Sequence, residues 1–232
     1  MPYRAVLFDL DGTLLDTLED IADAANEVLG GRGLPVHPME AYRGFVGEGV
    51  TRLVTRVLPE EKRDPATVRG CVEGFLAAYA RNWRANTKPY PGVPEMLDAL
   101  AGRGMKLAVL SNKPDEFTRV CVREILSGWA FLAVMGLSDA ISPKPDPAGA
   151  REIARRLGVP PEGFLYVGDS GIDMRTAAAA RMFPVGALWG FRGREELERD
   201  GARALIAHPE ELLSLLGARE ERGPAGTGGH VT

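Results

Sequence analysis

The sequence predicts an α/β fold, a parallel sheet core with a small α-helical domain inserted after the first strand. Two features carry that expectation. Short apolar runs at 4–8 (RAVLF), 106–110 (KLAVL), 164–167 (FLYV) and 184–188 (PVGAL) read as buried strands, and helical stretches separate the last three. Strands alternating with helices in this way build a parallel sheet. Residues 17–84, by contrast, show helical periodicity and no convincing strand.

Taken in order, the first strand ends at LFDLDGT. Three apolar stripes follow: Leu18, Ile21, Ala22, Ala25, Val28 and Leu29; then Val50, Leu53, Val54, Val57 and Leu58; then Val68, Cys71, Val72, Phe75, Leu76, Tyr79 and Trp83. They give the insertion a core of its own. GGRGLP (30–35) and LPEEKRDP (58–65) break the stripes, and the prolines of TKPYPGV (87–93) suit a stiff return. Beyond it, helices are expected at 93–102, 115–126, 147–157 and 172–181. The domains expected are residues 1–15 with 88–216 as the α/β core and 16–87 as the helical unit, with 217–232 a disordered tail rich in glycine and charge.

Composition narrows the function. The 232 residues are 45% hydrophobic and 26% charged, the balance of a globular chain that buries a sizeable core. A formal net charge of -4 gives no electrostatic argument for nucleic acid or an anionic membrane. Cys71 and Cys121 have neither metal-type nor redox-type spacing, so a reducing cytoplasm is expected. No run approaches the roughly 20 apolar residues of a membrane span, and the apolar run of MPYRAVLFDLDG is too short for a signal peptide.

The chemistry starts from Asp9 and Asp11. Residues two apart on an extended chain point the same way, so these carboxylates flank one point. Like charges so close repel unless a cation lies between them. Ligands of open α/β sheets bind outside the carboxyl ends of strands, and polar residues gather there: Ser111, Asn112 and Lys113 after KLAVL, Asp169, Ser170 and Asp173 after FLYV. Crowded carboxylates without a nearby His or Cys pair favour a hard ion, Mg2+ first, which commonly bridges to a substrate phosphate. Lys144, in SPKPDP, is the positive charge expected on the far side of that anion. The pattern suits a phosphoryl group.

DLDGT (9–13), LSNK (110–113), Lys144 and GDSGIDM (168–174), in that order, closely resemble the four signatures of the haloacid dehalogenase superfamily. The resemblance spans residues 3–216 and implies a Rossmann-like core under a helical cap. It implies that Asp9 is the nucleophile and that Asp11 protonates the leaving oxygen and then activates water. Ser111 and Lys144 are implied as phosphate-side catalytic groups. Asp9, Asp169 and the backbone carbonyl of Asp11 are implied as Mg2+ ligands, with Asp173 in support. Desolvation and the neighbouring acid are expected to keep a proton on Asp11.

The stretch YRGFVGEG (42–49) resembles the substrate loop of phosphoglycolate phosphatases, with Arg43 as a carboxylate fork. Gly12, Thr13, Asn112 and Glu48 complete the expected substrate contacts. A small phosphorylated metabolite is thus the expected partner, and a monomer or homodimer the expected form. Pyrophosphatase and sugar-phosphate activities, including that of a β-phosphoglucomutase, are the alternatives. A dehalogenase has no need of Asp11. A phosphonatase needs an insertion lysine, and only Lys62 is present there. An inactive binding module would have lost a signature residue, and none is missing. One departure stands out: Arg181 falls where members of the superfamily often carry the glycine that ends the last signature helix.

Overall fold

A computed structural model describes residues 3–217. The tail expected to be disordered lies, beyond Gly217, outside the described residues. The chain opens with β1 (Ala5–Phe8), followed by a two-residue strand, β2 (Leu15–Asp16). Four helices come next, α1 (Leu18–Gly31), α2 (Tyr42–Phe45), α3 (Val50–Val57) and α4 (Pro65–Asn82). The chain returns through β3 (Lys88–Pro89), antiparallel to β2. The remainder alternates: α5 (Val93–Gly102), β4 (Lys106–Pro114), α6 (Asp115–Ile125), β5 (Phe131–Leu137), α7 (Ala148–Leu157), β6 (Phe164–Gly168), α8 (Gly171–Ala180), β7 (Phe183–Ala187), α9 (Arg194–Arg199), β8 (Ala204–Ile206) and α10 (Leu212–Gly217).

Six strands form one parallel sheet in the order β5-β4-β1-β6-β7-β8. Every residue of β1 is buried, as a central strand covered on both faces must be. Alternation along the strands sorts the core into two layers. Val6, Phe8, Val109 and Val167 pack with Met96 and Leu97 of α5 and Cys121 of α6. On the opposite face, Ala5, Leu7, Ala108 and Tyr166 pack with Ile153 and Leu157 of α7 and Ala177 of α8. Ile21, Tyr42, Leu53, Phe75 and Tyr79 belong to a third cluster, within the inserted helices. Among the described residues, no helix is long and apolar enough to cross a membrane.

The four expected strands are present, but β5 and β8 were not anticipated. Both lie at the sheet's edges; β8 is only three residues long, too short to show a pattern, whereas β5 is an apolar run, FLAVMGL, that carried a strand signal. The β2–β3 ribbon is a further departure. It pairs Leu15 with Pro89 and Asp16 with Lys88, tying the two connectors together.

Beside this ribbon lies Asp20, buried and surrounded by donors. Its carboxylate accepts from the backbone N–H of Asn86 (2.9 Å) and Thr87 (2.9 Å) and from the Thr87 hydroxyl (2.6 Å). Truncation takes the shared acceptor away from these donors, which lie on exposed Asn86 and half-buried Thr87. An Asp20→Ala variant is expected to lose about 1–3 kcal/mol in urea denaturation. A loss below about 1 kcal/mol would show that the clasp contributes little.

At the end of α8, Arg181 takes the left-handed position itself, at φ 66 and ψ 26. It is the only non-glycine residue with positive φ among those described. Its side chain reaches Glu162 at the surface, a contact of small worth. Glycine at this C-terminal position escapes the Cβ penalty. Arg181→Gly is therefore expected to stabilise the fold by about 0.5–1 kcal/mol, read as a raised denaturation midpoint at unchanged m-value.

Candidate active site

The ends of β1, β4 and β6 converge as adjacent strands. The Asp9 N–H bonds the Val167 carbonyl at 2.9 Å, carrying the β1–β6 ladder one residue past the strand. Asp169 follows β6 directly. Asp173 lies in the first turn of α8, where it and Ser170 form a capping box, with the Ser170 hydroxyl donating to Asp173 Oδ2 at 2.6 Å. Asp9, Asp169 and Asp173 each offer an oxygen within 4.8 Å of the others, all three residues being buried. Gly12, at φ 82, lets the chain turn this tightly; a Cβ there would lie 2.9 Å from Asp169 Oδ1.

Lys144 enters the cluster from the far side. Its Nζ is 2.7 Å from Asp173 Oδ1 and 2.9 Å from Asp9 Oδ1, and it donates to the Leu110 carbonyl at 3.3 Å. Burial alone would lower the Lys144 ammonium, but Asp173 and Asp9 outweigh it and hold it well above its ordinary value. One cation does not balance three acids. Burial, then the Asp173 carboxylate, push the Asp9 carboxyl up to about 8, and the same two causes hold Asp169 up to about 7. The all-oxygen donor set and its unbalanced negative charge fit a hard divalent cation.

That imbalance has a measurable consequence. Both carboxyls bind protons more tightly in the folded state than at the unfolded value of 3.8, so their contribution to stability is complete below about pH 4. It is lost as pH rises towards 7 and 8. Protein in chelator is expected to show a Tm that falls from pH 5 to pH 8, with millimolar Mg2+ raising Tm more at pH 8 than at pH 5. An equal response to Mg2+ at both pH values would count against a cation between these acids.

The other expected residues divide into three groups. Ser111 lines the cavity beside Asp9 and Asp11, and its Oγ accepts from the Lys113 N–H at 3.3 Å. Thr13 and Asn112 are engaged by the protein itself. The Thr13 hydroxyl donates to Asp169 Oδ1 at 3.0 Å. Asn112 accepts from the Lys144 N–H at 2.8 Å and donates to the carbonyls of Gly47 (3.0 Å) and Lys144 (3.2 Å), so it braces the lysine loop against the inserted segment. Arg43 and Glu48 do not line this cavity. Arg43 donates to Glu40 and to the Gly190 carbonyl, while Glu48 pairs with Arg56, and both face an outer groove of ≈ 530 Å³. In the loop 42–49 the chain spends these side chains on its own charges and carbonyls, which spacing alone does not reveal.

Asp11 departs from the expectation that its carboxylate and that of Asp9 flank one point. Its carboxylate lies outside the three-acid cluster and meets Lys113, whose Nζ is 2.8 and 3.1 Å from its two oxygens. Sequence reasoning placed Lys113 at the strand end without giving it a role. The sequence offered only the two-residue spacing of Ser111 and Lys113; that they share a face of one extended strand shows in the structure, where β4 runs on to Pro114. The Lys113 ammonium also stands 4.7 Å over the Tyr79 ring of α4. Arg192, on the loop after β7, was missed without any such signal. Its Nη2 donates to the Val46 carbonyl at 2.8 Å, bridging core and insertion.

A parallel sheet whose carboxyl edge gathers three buried acids and a lysine, under a helical insertion, defines a site of the phosphoryl-transfer type. The profile of the haloacid dehalogenase-like hydrolases matches residues 6–187. A phosphoglycolate phosphatase of Xylella fastidiosa is 37% identical over 213 residues, 91% of each chain, and one of Aquifex aeolicus is 34% identical over 214 residues, 92% of this chain and 96% of its own. A crystal structure from Lactobacillus delbrueckii subsp. bulgaricus, of a candidate phosphoglycolate phosphatase, has a TM-score of 0.88 at 33% identity, covering 93% of this chain and 99% of that one. The chain belongs to the haloacid dehalogenase-like hydrolases, and is an enzyme of that family.

Proposed function

We propose that this enzyme is a cytoplasmic, Mg2+-dependent phosphatase that hydrolyses a small phosphomonoester, 2-phosphoglycolate first, through an aspartyl-phosphate. The observation that carries the reading is the pairing of Asp9 with Lys144 at 2.9 Å, inside a cluster with Asp169 and Asp173. Asp9 Oδ1 is engaged by Lys144 and by the Leu10 N–H (2.7 Å), which fixes the carboxylate so that its other oxygen is oriented for attack. That attack forms an O–P bond as the leaving oxygen takes the electron pair of the broken P–O bond and a proton from Asp11. Asp11 then takes a proton from the water that hydrolyses the acyl phosphate and regenerates Asp9.

Lys113 holds Asp11 in place, and Asp11 acts as the acid once one of its oxygens is released from that ammonium and protonated. Lys144 and Ser111 face the phosphoryl oxygens, where an ammonium and a hydroxyl stabilise charge. Mg2+, held by Asp9, Asp169 and the backbone carbonyl of Asp11 with Asp173 in support, would neutralise phosphoryl charge and let these acids coexist. The insertion acts as a cap that excludes water, braced by the Asn112–Gly47, Arg192–Val46 and Arg43–Gly190 contacts.

The names of the relatives support phosphoglycolate as the substrate. A phosphate-release screen with Mg2+ over phosphoglycolate, pyrophosphate, sugar phosphates and nucleotides tests the reading. It is expected to rank phosphoglycolate first. Release from none of them, with protein shown to be folded, would leave a binding module as the better account.

A further inference from the structure

We infer that Arg192 is the specificity residue that reads a second anionic group on the substrate, the role sequence reasoning assigned to Arg43. This rests on the small-phosphoester reading above and names the group within that site that selects the ester. The described lining of the inner cavity includes two cations, Lys113 and Arg192. Lys113 is committed to both oxygens of Asp11. The wall contributed by the insertion includes Ile21, Val50, Leu53 and Phe75. A carboxylate lying against such a wall would lose hydration without gaining a partner.

Arg192 is placed differently. It lines both the inner cavity and the outer groove, as do Ser170 and Phe191, so it stands where the two meet. Its Nη2 is anchored on the Val46 carbonyl and its Nε lies 3.4 Å from Glu196, with the side chain 17% exposed. A guanidinium carries five N–H donors in a rigid fork, and these contacts leave others for a carboxylate. The fork is therefore pre-positioned and partly desolvated, the condition under which a charge-assisted hydrogen bond counts most. Arg43, by contrast, lines the outer groove alone and is engaged by Glu40 and Gly190.

The test compares kcat/KM for phosphoglycolate, 3-phosphoglycerate and the carboxylate-free ethyl phosphate in wild type, Arg192→Ala, Arg192→Lys and Arg43→Ala. Because Arg192 also braces the insertion, the readout is the ratio of carboxylated to carboxylate-free ester, which a general loss of activity leaves unmoved. Arg192→Ala is expected to lower that ratio about 10- to 100-fold, Arg192→Lys less, and Arg43→Ala by under about 3-fold. An unchanged ratio in both Arg192 variants overturns the inference while leaving the phosphatase reading intact. A wild type that prefers 3-phosphoglycerate, with the preference erased by Arg192→Ala, sustains the inference and overturns phosphoglycolate as substrate. A wild type that prefers neither carboxylated ester overturns both.

Discussion

An Asp9→Asn variant is expected to release phosphate at least about 10⁴-fold more slowly than wild type on every ester the enzyme accepts, because the amide cannot form the acyl phosphate. Its shape is nearly that of the native side chain, so the lysine loop and the end of β1 keep their packing. Its effect on stability differs from its effect on rate. Burial and Asp173 push the Asp9 carboxyl up to about 8, so the native residue favours its neutral form in the absence of a cation. Asparagine is neutral at every pH, and the fall of Tm between pH 5 and pH 8 in chelator is expected to flatten. Phosphate release and thermal melts on the same preparation separate the two effects. Residual turnover within tenfold of wild type would remove Asp9 from the role of nucleophile.

A Lys144→Met variant is expected to fail in the opposite sense, losing both turnover and stability. The ammonium lies 2.7 Å from Asp173 and 2.9 Å from Asp9, and its removal leaves three buried acids with no cation between them. Breaking a buried pair by deleting one partner costs about 3–5 kcal/mol, because the remaining charge keeps its desolvation penalty. Methionine preserves the apolar bulk, which assigns the loss to charge rather than to a cavity. Urea denaturation in chelator measures it. Millimolar Mg2+ is expected to recover part of the stability and little of the activity, since the metal balances the acids without replacing the lysine at the phosphoryl oxygens. Destabilisation below about 1 kcal/mol in chelator would mean that the acids are neutralised by their own protons, and that Lys144 is not the balancing charge.

Much of this was legible before any coordinates. Asp9, Asp169 and Lys144 were chosen for residue type and for their places after strands or in the loop before a helix, and the structure brings them together. The helix at 93–102 has the expected bounds, and the other three differ by one residue, at one end for α6 and α7 and at both ends for α8, because apolar periodicity reports burial on one face directly. Arg181 was visible as a departure, though its φ was not. Of the two edge strands, β5 (FLAVMGL) is a continuous apolar run and was legible, whereas β8 is three residues long and nothing local marks it. Arg43 was misplaced for a related reason: a guanidinium takes the nearest good acceptor, and which acceptor is nearest depends on how the insertion lies on the core.

By itself, the sequence determined an alternating α/β core, a helical insertion with its own apolar stripes, and an acidic, lysine-bearing centre at the strand ends. These follow from periodicity, residue type and order along the chain, which are local properties. Tertiary structure alone decided that Lys113 belongs to Asp11, that Asp20 clasps the return from the insertion, and that Arg192 rather than Arg43 faces the cavity. Each of these is a contact between residues far apart in sequence, 102 residues for Lys113 with Asp11 and 146 for Arg192 with Val46. The strength of such a pair depends on distance and desolvation, and both are set when the separate layers close on one another.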